Sequence, residues 1–113
     1  MTLRESLAGL FESWRAGDAL RSSAYFAPDA IYGEASRLPI VGRDEIVRHF
    51  TDFFRDGPRF AFDVDDTIVE GERAAVRYRF STFDSAGRKR ERAGFAFVRF
   101  ANGTIVEWRE YDG

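Results

Sequence analysis

The chain contains no cysteine, one histidine, one methionine and three prolines in 113 residues. Without thiols there is no disulfide framework, no thiolate nucleophile and no zinc–thiolate centre. One histidine among scattered carboxylates lacks metal-ligand spacing, so no metal site is expected. Charge of one sign is also missing. Lys and Arg total 17 against 19 Asp and Glu, a net charge of −2, and a nucleic-acid partner would demand a basic surface. No apolar run approaches the roughly 20 residues that span a bilayer. The opening MTLRESLAGL carries Glu5 where a signal peptide needs an unbroken apolar core. The expectation is a cytoplasmic chain with neither nucleic acid nor membrane as partner. G-x-G-x-x-G, P-loop, nucleophile-elbow and Ser-His-Asp patterns are absent too, and no cofactor is expected.

What is present is a composition 44% hydrophobic and 32% charged, suited to one globular domain over residues 1–113. Aromatics reach 16%, with twelve Phe, four Tyr and two Trp. Rings in that number either thicken a core or wall a cavity.

Leu3, Leu7, Leu10, Phe11 and Trp14 form the stripe of an amphipathic helix. Thr2 with Glu5 makes a capping box at its start, and Gly17 supplies the left-handed residue that ends it. Asp18 N-caps a short second helix carrying Leu20 and Phe26, closed by Pro28-Asp29. Residues 30–34 read as a short strand, followed by a loop with Pro39 and Gly42. A third helix begins at Asp44, with Ile46, Val47, Phe50, Phe53 and Phe54 on one face, and Gly57-Pro58 stops it. Alternation then takes over: Phe60 to Asp65, Ala75 to Phe83, Arg90 to Phe100 and Ile105 to Tyr111 are strands. Gly71, Ser85-Ala86-Gly87 and Asn102-Gly103 turn the chain between them.

Three helices, one short strand and a four-strand meander make an α+β fold, with the helices covering one face of a curved, mainly antiparallel sheet. The strand through Phe95 and Phe97 is apolar on both alternating sets, because Ala96, Val98 and Phe100 occupy the other. One set faces the helices. The other would be bare in a monomer, so a homodimer through the sheet face is expected.

This order of elements, with W-R-A-G-D at 14–18, Y-F-A-P-D-A-I-Y at 25–32, G-R-D-E-I at 42–46 and I-V-E-W-R-E-Y at 105–111, resembles the SnoaL-like branch of the nuclear transport factor two-like superfamily. The resemblance implies a conical α+β barrel with a pocket between sheet and helices. Its members include ketosteroid isomerases, limonene epoxide hydrolase, polyketide cyclases and non-enzymatic binding domains, so fold alone assigns no activity. Similarity to the isomerases puts a proton-moving carboxylate at Glu34. The positions of their two oxyanion donors fall on Leu10 and Ala96, neither of which can donate. Such donors are worth about 3–4 kcal/mol each, which argues against a steroid isomerase of that type. Similarity to the epoxide hydrolase puts an acid at Glu110 within Trp108-Arg109-Glu110-Tyr111, but Arg77-Tyr78-Arg79 has arginine where its aspartate would stand. Glu110 is also the nearest match to the acid of the cyclases.

The residues themselves leave alternatives open. Glu34 is either a carboxylate turned into an apolar pocket, its pKa raised by desolvation, or an exposed loop-edge residue. His49 flanks the third helix's apolar stripe and either edges the pocket as an acid–base group or sits at the surface. Trp108 and Glu110 share one face of the last strand. If that face is inward, Trp108 is a wall and Glu110 needs a partner such as Arg77 or Arg79. If it is outward, the three charges form a cross-strand ladder. Trp14, Tyr25, Tyr32, Phe50, Phe53 and Phe54 are core residues, some of them also contacting a ligand. The expected function is binding a small hydrophobic or carbonyl-bearing metabolite, with cofactor-free proton transfer (isomerisation, cyclisation or water addition) as the chemistry. On that reading Glu34, Glu110 and His49 are the catalytic candidates. Trp14, Tyr32, Phe50, Phe54, Arg77, Arg79 and Trp108 are the substrate contacts. The alternative is a non-catalytic ligand-binding or dimerisation domain.

Overall fold

A computed structural model describes residues 1–113. Helix α1 (Leu3–Arg15) starts as its sequence dictates: Glu5 donates its amide to the Thr2 hydroxyl, and the Glu5 carboxylate accepts from the Thr2 amide. Such a cap contributes about 1 kcal/mol. Leu7, Leu10, Phe11 and Trp14 are its buried face. Helix α2 (Ala19–Ser23) is one short turn capped by Asp18. Helix α3 (Arg43–Asp56) has no side-chain cap. Asp44 and Glu45 in its first turn meet the exposed amides electrostatically instead.

Strands β1 (Phe26–Gly33), β2 (Ile40–Val41), β3 (Arg59–Glu70), β4 (Arg73–Phe83), β5 (Lys89–Ala101) and β6 (Thr104–Asp112) form one sheet of order β2-β1-β6-β5-β4-β3. The β3–β6 meander is antiparallel, as its turns predict; Asn102 and Gly103 both take positive φ, the geometry of a two-residue hairpin. β1 lies parallel to β6, with Tyr32 opposite Trp108. The edge of β3 is covered by α1, whose Arg4 and Arg15 donate to the Thr67 and Phe62 carbonyls.

Three expectations are corrected. The second helix stops at Ser23, and Phe26 opens β1 instead of lying on that helix. Phe26 is fully buried and paired with Ile105, whereas Leu20, the other residue assigned to the helix face, is 78% exposed. Tertiary burial of one large ring outweighs a longer helix. The strand expected at 30–34 therefore begins earlier and carries Pro28 at the point where its pairing with β6 shifts, a position that needs no ladder amide. The loop after it contributes β2, which pairs with Ile31 and Tyr32. The sheet is thus six-stranded and mixed, with its parallel pair in the interior.

Two bulges set which side chains face the helices. Val106 is the extra residue in β6, so Ile105 and Trp108 both point inward although three residues apart. Asp65 is the extra residue in β3, opposite the Tyr78–Arg77 step of β4. The inward set of β5 continues from Phe100 through Val98, Ala96 and Gly94. The outward set leaves Phe95 and Phe97 exposed at 43% and 37%, next to Tyr111 at 46%.

Candidate functional site

The inward faces of β3, β4 and β6 diverge from α3, and a cavity of about 200 Å3 opens between them. Phe50, Phe53 and Phe54 come from α3, Phe60 and Phe62 from β3, Tyr78 and Phe80 from β4, and Trp14 from α1. The rings interlock: Phe50 meets Trp14 edge-on at 5.5 Å, Phe62 stacks on Tyr78 at 5.1 Å, and Phe60 stacks on Phe80 at 5.8 Å. At the other end the lining turns polar, with Tyr32, Glu34, Arg37, His49, Arg92 and Glu110.

Glu110 is the deepest charge, its side chain 8% exposed. One oxygen, Oε2, accepts from Trp108 Nε1 at 2.9 Å and from the Tyr32 hydroxyl at 3.2 Å. The Arg92 guanidinium stands 4.0 Å from the other, Oε1, and the Tyr78 hydroxyl also interacts with the carboxylate. The strand register makes this arrangement. Tyr32 and Trp108 are directly opposite on parallel strands, their rings stacked at 6.3 Å, and Glu110 lies two residues beyond Trp108 on the same face. Glu34, just past the end of β1, places Oε2 3.3 Å from His49 Nε2 and Oε1 3.8 Å from Arg37.

The two carboxyls are driven apart electrostatically. Burial pushes Glu110 up, the charge of Glu34 adds to this, and the bonds from Trp108 and Tyr32 with the charge of Arg92 only partly oppose it. Glu34 also feels burial, but the His49 bond and charge, with Arg37 and Arg92, bring its carboxyl below the ordinary range. Burial, then the charge of Glu110, raises both Tyr32 and Tyr78, which stay neutral donors. Gly94 makes room for the second phenol: a Cβ there would stand 3.0 Å from the Tyr78 hydroxyl and 2.9 Å from the Tyr111 carbonyl.

Residues 7–108 match the SnoaL-like domain family. The chain belongs to that family. Solved structures agree on the fold. An NTF2-like protein of unknown function from Burkholderia pseudomallei superposes with TM-score 0.84 at 18% identity, over 97% of this chain and 89% of that one. A protein named as a SnoaL-like polyketide cyclase from Jannaschia sp. gives 0.81 at 17% identity, over 95% and 82%. A protein of ketosteroid isomerase-like fold from Catenulispora acidiphila, in complex with trimethylamine, gives 0.84 at 14% identity, over 97% and 86%. At such identities the likeness is one of fold. No functionally curated protein has significant similarity to the chain.

In this SnoaL-like domain the three catalytic candidates, Glu34, His49 and Glu110, come together on one cavity, with Trp14, Tyr32, Phe50 and Phe54 on its wall. Arg77 and Arg79 do not join them. They alternate with inward Val76, Tyr78 and Phe80, and Arg79 pairs with Asp65 at 3.0 Å on the outer side of the sheet. The ladder expected of Glu110, Arg77 and Arg79 does not form: the arginines face outward, but Glu110 faces the cavity and Arg79 takes Asp65 as its partner. Trp108 is fully buried beneath the cavity and acts on Glu110 through its indole N–H rather than as a wall. Tyr25 packs against Gly9 of α1, away from the site. Phe60, Phe62, Tyr78, Phe80, Arg37 and Arg92 line the cavity without having been singled out from sequence. For Arg92 a signal existed: it is in phase with Gly94, Ala96, Val98 and Phe100, the inward set. Arg37 lies in a loop with no period to place it.

Proposed function

We propose that this SnoaL-like domain is a cofactor-free proton-transfer enzyme acting on a small, largely apolar carbonyl compound in the conical hollow between sheet and helices. The observation that carries the reading is a pair of carboxyls on one cavity whose surroundings push their proton affinities in opposite directions, the usual mark of an acid and a base with separate tasks. Glu110, raised, is the acid. Its Oε2 is occupied by two donors, so the proton belongs on Oε1, where a substrate carbonyl oxygen would receive it. The Glu34–His49 pair is the base. A carboxylate held below its ordinary range is a weak base alone but a good counter-ion to the imidazolium that forms when His49 accepts a proton. The C–H bond next to the carbonyl breaks, its electrons move into the carbon–carbon bond, and the oxygen takes the proton from Glu110. The enol then gives its O–H proton back to Glu110 as the His49 imidazolium delivers a proton to carbon, which restores both groups. The aromatic walls hold the ring system and exclude water.

The experiment is hydrogen–deuterium exchange of 1-tetralone, a two-ring ketone, in deuterated buffer. The protein should accelerate exchange next to the carbonyl. Glu110→Gln and His49→Ala should each lose about a hundredfold or more of that acceleration, the range of general acid–base catalysis. Exchange no faster than in buffer would defeat the reading.

One observation favours a second reading, a non-catalytic ligand-binding domain. Leu10 and Ala96, where the resemblance places oxyanion donors, are apolar and fully buried. Binding of 1-tetralone without exchange would select it. On either reading we propose that a second copy of the chain covers Phe95, Phe97 and Tyr111 on the outer sheet face.

A further inference from the structure

The hydrogen-bonding capacity of the cavity is unevenly spent, and the imbalance bears on what kind of molecule would fit it. Its acceptors are largely engaged: Glu34 by His49, and Oε2 of Glu110 by Trp108 and Tyr32. Its donors are not. Arg37 and Arg92 each stand near a carboxylate, but at 3.8 and 4.0 Å, beyond hydrogen-bond distance. The planar fork of a guanidinium carries five N–H groups. Some arginines of the chain use theirs within the protein, as Arg79 does on Asp65 and Arg15 on a backbone carbonyl. Others, such as Arg43 and Arg77, make no such bond, but of the unbonded ones Arg37 and Arg92 are those on the cavity lining. Arg92 is held in place all the same, its guanidinium 5.8 Å over the ring of Phe80. One more donor is unpaired, though its atom is closed off from the cavity space. Trp14, 6% exposed on the cavity wall, carries the single buried side-chain polar atom without a partner, its indole N–H. Buried donors are rarely left unmade, because each costs about 1–3 kcal/mol.

Charge points the same way. Glu34 and Glu110 offset Arg37 and Arg92 when all four are ionised. Once Glu110 takes its proton, the cavity lining is positive, and Glu110 adds a further donor.

We infer that the ligand is an amphipathic acid: a flat apolar ring system for the aromatic walls, bearing a carboxylate or enolate oxygen pair that Arg37 and Arg92 grip at the mouth. The inference rests on the cavity being the ligand site proposed above and adds the chemical class of what enters it. Arg37 and Arg92 are then specificity residues. They select the acid over its neutral and cationic analogues, through the bidentate geometry that guanidinium offers to paired oxygens.

Calorimetric titration with three probes of one shape tests this: 2-naphthoate, 2-naphthamide and 2-naphthylmethylamine. The acid should bind about tenfold more tightly than the amide, as expected of charge-assisted hydrogen bonds at a half-exposed rim, and the amine should bind most weakly. In the double variant Arg37→Gln/Arg92→Gln the acid should lose that advantage while the amide keeps its affinity. The retained amide binding also shows that the variant is folded. Equal binding of acid and amide, tighter binding of the amine, or an acid preference that survives the double substitution would each overturn the inference. Failure of all three probes to bind would overturn it together with the pocket reading. Naphthoate binding that obeys the arginines without 1-tetralone exchange would uphold the ligand class and defeat only the catalytic proposal.

Discussion

Tyr32 and Glu110 are 78 residues apart in the chain and 3.2 Å apart in the fold. They meet because β1 runs parallel to β6 with Tyr32 opposite Trp108, so one phenol and one indole converge on the same carboxylate oxygen. This buried three-residue network is the structural centre of the site. It holds an acidic group at depth and engages one of its two oxygens, Oε2.

Removing one donor should move Glu110 in a defined direction. The Tyr32 bond favours the ionised carboxylate, so Tyr32→Phe should raise the Glu110 carboxyl further above its ordinary range. A carbon-13 carboxyl titration by NMR reads the shift directly. An unchanged or lowered midpoint would mean the bond is not made in solution. The stability loss should stay within about 1–2 kcal/mol, because Trp108 still satisfies Oε2.

Glu110 also makes folding pH-dependent. Its carboxyl is raised above 4.5 in the folded chain, so the native state keeps a proton that the unfolded chain releases. The resulting stabilisation is complete below the unfolded value and is lost as pH rises through the folded value. Glu110→Gln keeps an acceptor for Trp108 and Tyr32 but cannot ionise. Urea melts between about pH 4 and pH 8 should therefore show a smaller loss of stability on the alkaline side for the variant than for the parent. At neutral pH the variant should match or exceed the parent, within about 1 kcal/mol.

Gly94 is a packing position as well as a strand residue. An alanine Cβ there would meet the Tyr111 carbonyl at 2.9 Å and the Tyr78 hydroxyl at 3.0 Å. Gly94→Ala should cost about 1–3 kcal/mol, read from the denaturant midpoint. It should also weaken 2-naphthoate binding by displacing Tyr78 from the cavity wall. Full stability with unchanged affinity would show that Tyr78 moves aside freely.

The outer sheet face offers the last test. Phe95 and Tyr111 stack at 5.2 Å beside Phe97, all three facing outward. Sedimentation at about 10 μM should give a dimer, an affinity ordinary for interfaces of standard size. Phe97→Glu should give a folded monomer with the same helical signal by circular dichroism. A monomeric parent would remove the dimer proposal.

Helices and hairpins were readable in one dimension because their signals are local. The Thr2–Glu5 capping box, the Leu7-Leu10-Phe11-Trp14 stripe, the Asp18 cap and the Asn102-Gly103 turn each involve residues a few positions apart, and each forms as its spacing implies. The resemblance to SnoaL-like sequences then directed attention to Glu34 and Glu110, which share the cavity. Long-range pairing supplied the rest. Phe26 is a strand residue because β6 offers it a buried partner. The bulge at Val106 sets the phase that turns Ile105 and Trp108 inward together. Arg79 faces out and Arg92 faces in by strand parity, which their neighbours' alternation carries, but alternation alone does not say which parity meets the helices. Alternation shows that two faces exist. Only the packing of the sheet against the helices, where burial of apolar area outweighs any local preference, settles which face becomes the wall of the cavity.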